Sequence, residues 1–336
     1  MMLSGYYFCN KPYIHIPTPE KMSFEIFKQQ FGNLTEFVIQ EASTGNRCVV
    51  IPELGGIVRQ LSLRKGITLF SLLKTPPTPD SLLADMKSAS ELLFPFASRI
   101  PDGKYKFLGK EYQLAKNETG GLNAIHGLVR KRQFNLEEQI IEADHASIKL
   151  SYDLNDPEGY PFSVKFSVLY TLHADGRFVL SYEALNNGTE PAPAMFGWHP
   201  YFLLGNEEVD AWKINIPSSE IVDFDNNQIP VGKKPFLVER PTKLYQKAFD
   251  NCFIVDSAAT SVVTELISEN QDITLRIKQD TGEGKFNYLV VYTPPARDCV
   301  AIEPLTANVN AFNSGEGLNL LTQGKSASGA ITVSLV

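Results

Sequence analysis

The chain has 336 residues, 43% hydrophobic and 21% charged, with a formal net charge of -7. That length can bury a large core, and an acidic chain without a dense Lys/Arg run excludes nucleic acid as the expected partner. No apolar run approaches the roughly 20 residues that span a bilayer. No P-loop, dinucleotide fingerprint or G-x-S-x-G elbow supports a kinase, a dehydrogenase or a serine hydrolase.

Met1 to Pro17 lacks the basic region, apolar run and small-residue cleavage site of a signal peptide. Cys9, Cys48, Cys252 and Cys299 are scattered without C-x-x-C spacing. In a chain this long they read as free thiols in a reducing compartment, so a cytoplasmic protein is expected. Thr18 to Gly32 is ambiguous between helix and strand. Lys74-Thr75-Pro76-Pro77-Thr78-Pro79 is the most proline-rich stretch and reads as a surface loop. After it, Leu82, Leu83, Met86 and Leu93 have roughly helical spacing, which predicts one short helix.

From there the dominant period is two. Ile148, Leu150, Tyr152 and Leu154 alternate with polar residues. So do Val164 to Leu172, Phe178 to Ala184, and Ile273 to Ile277. A strand sends successive side chains to opposite faces, so each run has one buried face. Turn clusters such as Asp102-Gly103, Asn186-Asn187-Gly188 and Gly282-Glu283-Gly284 separate them. Many short strands joined by turns predict an all-β chain of antiparallel sheets, closed as a sandwich or barrel. One large domain over residues 1–336 is expected.

Five histidines are present. His145 and His173 lie in charged or turn contexts and read as surface residues; His15 lies in an apparently peripheral segment. His126 precedes Gly127, and a small residue there lets a ligand or another backbone approach closely. His199 sits in Phe196-Gly197-Trp198-His199-Pro200-Tyr201-Phe202. If that stretch is extended, Gly197, His199 and Tyr201 share one face and the other aromatics anchor in the core. Glu303 ends an apolar strand region, and a buried carboxylate costs free energy unless it is paired or used. Asp250 is bracketed by aromatics, and Arg99 follows an apolar run. Taken singly, each histidine reads more readily as a structural residue, and Arg99 as half of an ion pair. Two histidines with two carboxylates also suit zinc, but no H-x-H or H-E-x-x-H spacing brings them together, and no metal or cofactor is expected.

Taken in order, these segments resemble the aldose 1-epimerase (galactose mutarotase) family from about residue 40 to the C-terminus. The resemblance rests on Ser98-Arg99-Ile100 with Gly103, Tyr112 to Asn117, His126-Gly127 and His199-Pro200-Tyr201-Phe202. It continues through Asp250-Asn251-Cys252-Phe253 and Glu303-Pro304 with Thr306 and Asn310 to Asn313. It implies a large antiparallel β-sandwich, with residues 1–33 as an extension or extra strand. It also implies roles. Glu303 is the general base on the anomeric hydroxyl of a hexopyranose, and His199 is the general acid on the ring oxygen. His126, Asp250 and Arg99 hold hydroxyls. The implied partner is a monosaccharide, the assembly a monomer or homodimer. Glu303 would stay ionised beside a protonated His199, and Tyr201, Trp198, Phe253 or Trp212 would meet a sugar face. Whether a sugar-sized gap separates Glu303 from His199 is left open by the sequence.

Two positions depart from the family pattern. Ser98 stands where asparagine is usual, and Leu305 where an aromatic residue or glutamine is usual; both bear on sugar preference. A hexose-6-phosphate 1-epimerase is the alternative, with Arg99, Arg130, Lys131 and Arg132 as phosphate partners. A catalytically silent sugar-binding or regulatory protein on the same fold is the alternative of another class.

Overall fold

The computed structural model describes residues 23–85, 87–156 and 159–336. Every strand pairing is antiparallel among these residues. The two α-helices, Pro79–Leu83 and Ala311–Ser314, are one turn each. The chain is an all-β sandwich of antiparallel sheets.

The alternating runs become His145–Asp156, Tyr160–His173, Phe178–Asn186 and Ile273–Asp280. With Ser326–Leu335 they form the centre of a nine-stranded sheet. Its inner aromatics meet an eight-stranded sheet built from later segments. Phe166 and Tyr182 pack on Phe196 at 5.5 and 4.5 Å between ring centroids, and Phe178 packs on Trp198 at 6.2 Å. Alternation puts each of these rings on the buried face of its strand. A five-stranded sheet, from Phe24–Phe31 to Thr68–Ser71, covers one side.

One local expectation is settled and another changes. Phe24–Phe31 is a strand, which settles the described part of the ambiguous N-terminal segment; Met1 to Met22, with Cys9 and His15, lies outside the described residues. The helix ends at Leu83, and Leu93 belongs to the strand Leu92–Leu93. Thr78 caps that helix by accepting from the Ser81 N–H, and Pro79 follows at its first position, where a missing N–H costs nothing. The helix spacing read through Leu93 was an accident of two unrelated apolar segments. Cys48, Cys252 and Cys299 are free and buried.

Candidate active site

The eight-stranded sheet places the site. Val300–Leu305 is buried along its whole length, between Tyr288–Tyr292 on one side and the Gly197–Trp198 and Tyr201–Phe202 strands on the other. Glu303 lies in register with Val290, which is in register with Cys252. The three side chains share one face. That face floors a cleft of about 1000 Å³, which also takes in Ser98, Arg99, His126, His199, Tyr201 and Asp250.

His199 falls where the strand is broken by Pro200. Its N–H donates to the Glu91 carbonyl at 3.1 Å, and its carbonyl accepts from the Ser90 N–H at 2.8 Å. Trp198 turns to the core and donates its indole N–H to Ser90 Oγ at 3.2 Å. The expected split of faces holds: Phe196, Trp198 and Phe202 are fully buried, while His199 and Tyr201 line the cleft. Gly197 leaves room for the Glu303 strand, since a Cβ there would stand 2.4 Å from Leu305 Cδ2. Thr306 locks the two segments together. Its Oγ1 accepts the Phe196 N–H at 2.9 Å, and its own N–H donates to the Phe196 carbonyl at 2.9 Å.

His199 Nε2 lies 3.4 Å from Glu303 Oε1. There is no sugar-sized gap between them. The two groups stand side by side, 6% and 4% exposed. The physical reason is the pairing of the strands on either side of His199 with the strand that carries Glu303.

Burial also opposes the expected charges. It pulls the His199 imidazole down to about 4 and pushes the Glu303 carboxyl well above its usual range, with Asp250 adding to the rise and Arg99 opposing it. Neither charge is solvated enough to be the favoured form. Burial thus works against both charges of the pair and favours sharing one proton as carboxylic acid and neutral imidazole over an ion pair.

His126 stands 5.2 Å from His199, ring edge to ring face. The Ser98 N–H donates to His126 Nδ1 at 3.3 Å, which leaves the proton on Nε2. Burial, then His199, Arg130 and Arg99, hold this imidazole well below its usual pKa. It is a neutral N–H donor. Gly127 serves a backbone approach: a Cβ there would lie 2.3 Å from the Phe94 carbonyl oxygen, and its φ is +78°. Arg99 Nε donates to Glu118 Oε1 at 2.7 Å, so the ion-pair reading is true, and Arg99 lines the cleft as well. Asp250 opens the strand Asp250–Ile254 at the exposed side of the cleft; partial burial raises its carboxyl and Arg99 opposes the rise.

The sequence thus brings together all five expected residues. Other expectations fail. Trp198, Trp212 and Phe253 are buried away from the cleft, leaving Tyr201 alone of the four aromatics. Of Arg130, Lys131 and Arg132, only Arg130 lines the cleft, and Glu91 pairs with it. Lys131 Nζ donates to the Leu83 carbonyl and Arg132 Nε to the Leu128 carbonyl. That cationic set is not assembled. Asn313 pins a helix turn to Lys104–Phe107, donating to the Lys104 carbonyl at 3.0 Å, so this motif is structural. Glu91, Glu118 and Tyr292 went unseen. Only Tyr292 carried a signal, through its alternation with Tyr288 and Val290 on one strand face. Among the described residues, no group of three or more His, Cys, Asp or Glu could hold a metal, and no helix is long and apolar enough to cross a membrane.

A sequence profile described as aldose 1-epimerase matches residues 39–334. An uncharacterised protein of Escherichia coli (strain K12) is 28% identical over 260 residues, 75% of this chain and 80% of its own. The galactose mutarotase of Pongo abelii is 31% identical over 141 residues, which is 41% of this chain and 39% of that protein. A galactose mutarotase-like protein from Clostridium acetobutylicum superposes with a TM-score of 0.81 at 20% identity, covering 94% of this chain and 99% of that one. At that identity the superposition establishes the shared fold.

Proposed function

The chain belongs to the aldose 1-epimerase family, and on that premise we propose that it interconverts the α and β anomers of a hexopyranose by opening and reclosing the ring. The observation that carries the proposal is the 3.4 Å contact between a buried imidazole and a buried carboxyl at the floor of a cleft.

Anomerisation removes a proton from O1 and adds one to O5 as the C1–O5 bond breaks. Rotation about C1–C2 then presents the other face of the aldehyde, and closure runs the two proton transfers backwards. A pair holding one proton serves both directions. In the working form Glu303 is the carboxylate that takes the O1 proton and His199 the imidazolium that protonates O5. Burial works against both charges of this form, and so makes Glu303 a stronger base and His199 a stronger acid than either is in water. Sugar hydroxyls and Arg99 lower the cost of reaching it. Each group is worth on the order of 10²–10⁴ in rate. The His126 Nε2–H, Arg99 and Asp250 bind ring hydroxyls and fix which edge of the sugar faces the pair.

Polarimetry of freshly dissolved α-glucose and α-galactose tests this. The wild-type protein accelerates approach to the equilibrium rotation, and E303Q and H199A do not. A wild type that matches buffer on every aldose tried removes the enzymatic reading and leaves a sugar-binding one.

A further inference from the structure

The two cleft histidines come from segments far apart in the chain, and one ion pair ties those segments together. In the eight-stranded sheet Gly197 and Trp198 are the register partners of Leu93 and Leu92. The pairing runs one step further as a bulge. The His199 N–H donates to the Glu91 carbonyl at 3.1 Å, and the His199 carbonyl accepts from the Ser90 N–H at 2.8 Å, so two residues oppose one. Ser90 takes the left-handed conformation that opens such a bulge, at φ +63°, and its Oγ accepts the Trp198 indole N–H. Bulges beside a site re-aim side chains. This one aims the Glu91 carboxyl at Arg130, and the two form an ion pair with both side chains largely buried.

Arg130 ends the segment that carries His126. Leu128 and Val129 donate their N–H groups to the Phe94 carbonyl at 2.7 and 3.3 Å, and Arg130 reaches back to Glu91 on the same stretch. Glu91 to Phe94 therefore holds His199 by its backbone and His126 through this clasp. The two rings stand 5.2 Å apart. No side chain fixes the His199 ring through its second nitrogen. Nδ1 is buried and, among the described residues, meets no hydrogen-bond partner beyond its own backbone. The direction of the ring depends on the backbone ties and on the rings of Tyr201 and His126 beside it.

Charges around that ring act at short range. Glu303 faces His199 from Val300–Leu305, and Tyr201 from its own segment. Asp85 and Glu91 face it from the loop before Leu92–Leu93, and His126 and Arg130 from the segment after Asn123–Ile125. Asp85 favours a charge on His199 and Arg130 opposes it; Arg130 opposes a charge on His126 as well. We propose that Arg130, clasped by Glu91, is a positioning residue for the reaction: it sets the separation of the two histidine-bearing segments and keeps a fixed positive charge beside both rings. A like charge nearby makes an imidazolium a stronger acid, which suits a group that must protonate the ring oxygen. The proposal rests on the assignment of His199 to that oxygen.

Three variants test it. R130Q removes the charge and keeps a donor for the Glu91 carboxyl. R130M/E91Q removes both charges and leaves no ion buried alone, a change that is often neutral when volume is kept. R130K keeps the charge. Urea midpoints check that each is folded, and either charge-removing variant carries the test. Anomer exchange of glucose and galactose is followed across pH by NMR at equilibrium, and the histidine rings are titrated by 15N NMR in the same samples. In R130Q and R130M/E91Q the acid limb of kcat/KM is expected to rise by about one pH unit from its place near pH 4. In both, kcat is expected to fall about tenfold, with KM within about twofold. R130K is expected to return the limb to its wild-type place. A limb that stays in place without the charge overturns the proposal. So does a loss in KM alone, which would make Arg130 a sugar-binding group, or an R130K limb as high as that of R130Q. If wild-type exchange matches buffer on both sugars, the epimerase reading fails, and the ring titrations decide the clasp by themselves. A His126 or His199 ring that takes up its proton at higher pH in R130Q than in wild type upholds the fixed charge; unchanged titrations overturn it.

Discussion

Two histidine pairs in this molecule carry nearly the same groups in opposite settings. His126 and His199 lie 5.2 Å apart with Glu303 beside them, in the cleft. His145 and His173 lie 5.7 Å apart, directly opposite each other on neighbouring strands of the nine-stranded sheet, with Asp144 2.8 Å from His145 Nδ1. The Asp144 side chain is 83% exposed and that of Glu303 is 5% exposed. The His145 contact lowers the exposed carboxyl, because water solvates both charges and attraction decides the sign. Burial raises the enclosed carboxyl despite the histidine beside it. Proximity of imidazole and carboxylate is thus not what makes an acid–base pair. Exclusion of water is, because it puts both groups away from their resting charge.

The largest expected effect breaks the buried pair. E303Q keeps the shape and removes the proton acceptor, so the mutarotation rate falls on the order of 10³-fold, within the range for general acid–base catalysis. H199A falls by a similar factor. The two losses do not multiply, because one proton shared by two groups makes them a unit. Polarimetric rates of the two single variants and the double variant check this; full multiplication would mean that the groups act independently.

The pH profile sharpens the comparison next. The working pair holds one proton. As pH falls, a second proton binds to His199, no base is left, and the rate is lost. Burial has moved that point down to about 4, so the acid limb of kcat/KM lies near pH 4. An unperturbed histidine would put it near 6.5. As pH rises, the pair loses its proton on the way past the raised Glu303 pKa, so the alkaline limb lies above where an ordinary carboxyl would put it. An acid limb at pH 6 to 7 would show that burial does not hold His199 down in the free protein.

Arg99 tests the electrostatics without touching the proton transfer. It opposes the rise in Glu303 and in Asp250. R99L is expected to cost about 10- to 100-fold in kcat/KM, through KM and through a scarcer carboxylate form. Its alkaline limb moves upward, because the carboxyl has lost its nearby positive charge. A loss of KM alone, with the limb in place, would make Arg99 a hydroxyl-binding group only.

The two pairs also show how far the sequence could be read. Strands with one wet face announce themselves by alternation, and the surface histidines sit in such strands or their turns, at 145 and 173. The meeting of Arg99, His126, His199, Asp250 and Glu303 in one cleft was legible through the ordered set of segments that carry them. What no pattern revealed was the register across strands far apart in sequence, which lines up Cys252, Val290 and Glu303. The side-by-side placement of Glu303 and His199 depends on that register. So does the pull of burial against both charges, which cannot be seen in residue types. Glu91 and Glu118 were invisible for the same reason: each is one of 38 acidic residues until its partner, Arg130 or Arg99, is known.

A smaller effect concerns the mount. Thr306 is fully buried, and its Oγ1 accepts the Phe196 N–H. T306V leaves that donor without a partner, at a cost of about 1–3 kcal/mol. Urea unfolding should show a lower midpoint with an unchanged slope. Because Phe196 to Phe202 carries His199, the rate falls modestly as well. A full loss of stability with no loss of rate would mean that the histidine is held by Glu91 and Ser90 alone.

The smallest expected effect falls on the half-buried pair outside the cleft, and it is the control for the whole comparison. The double variant H145N/H173N removes two imidazoles, the Asp144 contact and one ring contact. Solvated ion pairs of this kind are worth roughly 0–1 kcal/mol, and Asn fits the same strand positions. The mutarotation rate should stay within about twofold of wild type and the urea midpoint should barely move. The acid limb near pH 4 should stay where it is, because no histidine outside the cleft contributes to it. If that pair instead carried a loss comparable to E303Q, the claim that exclusion of water creates the acid–base pair would fail at its simplest point, since the same groups would then work in water.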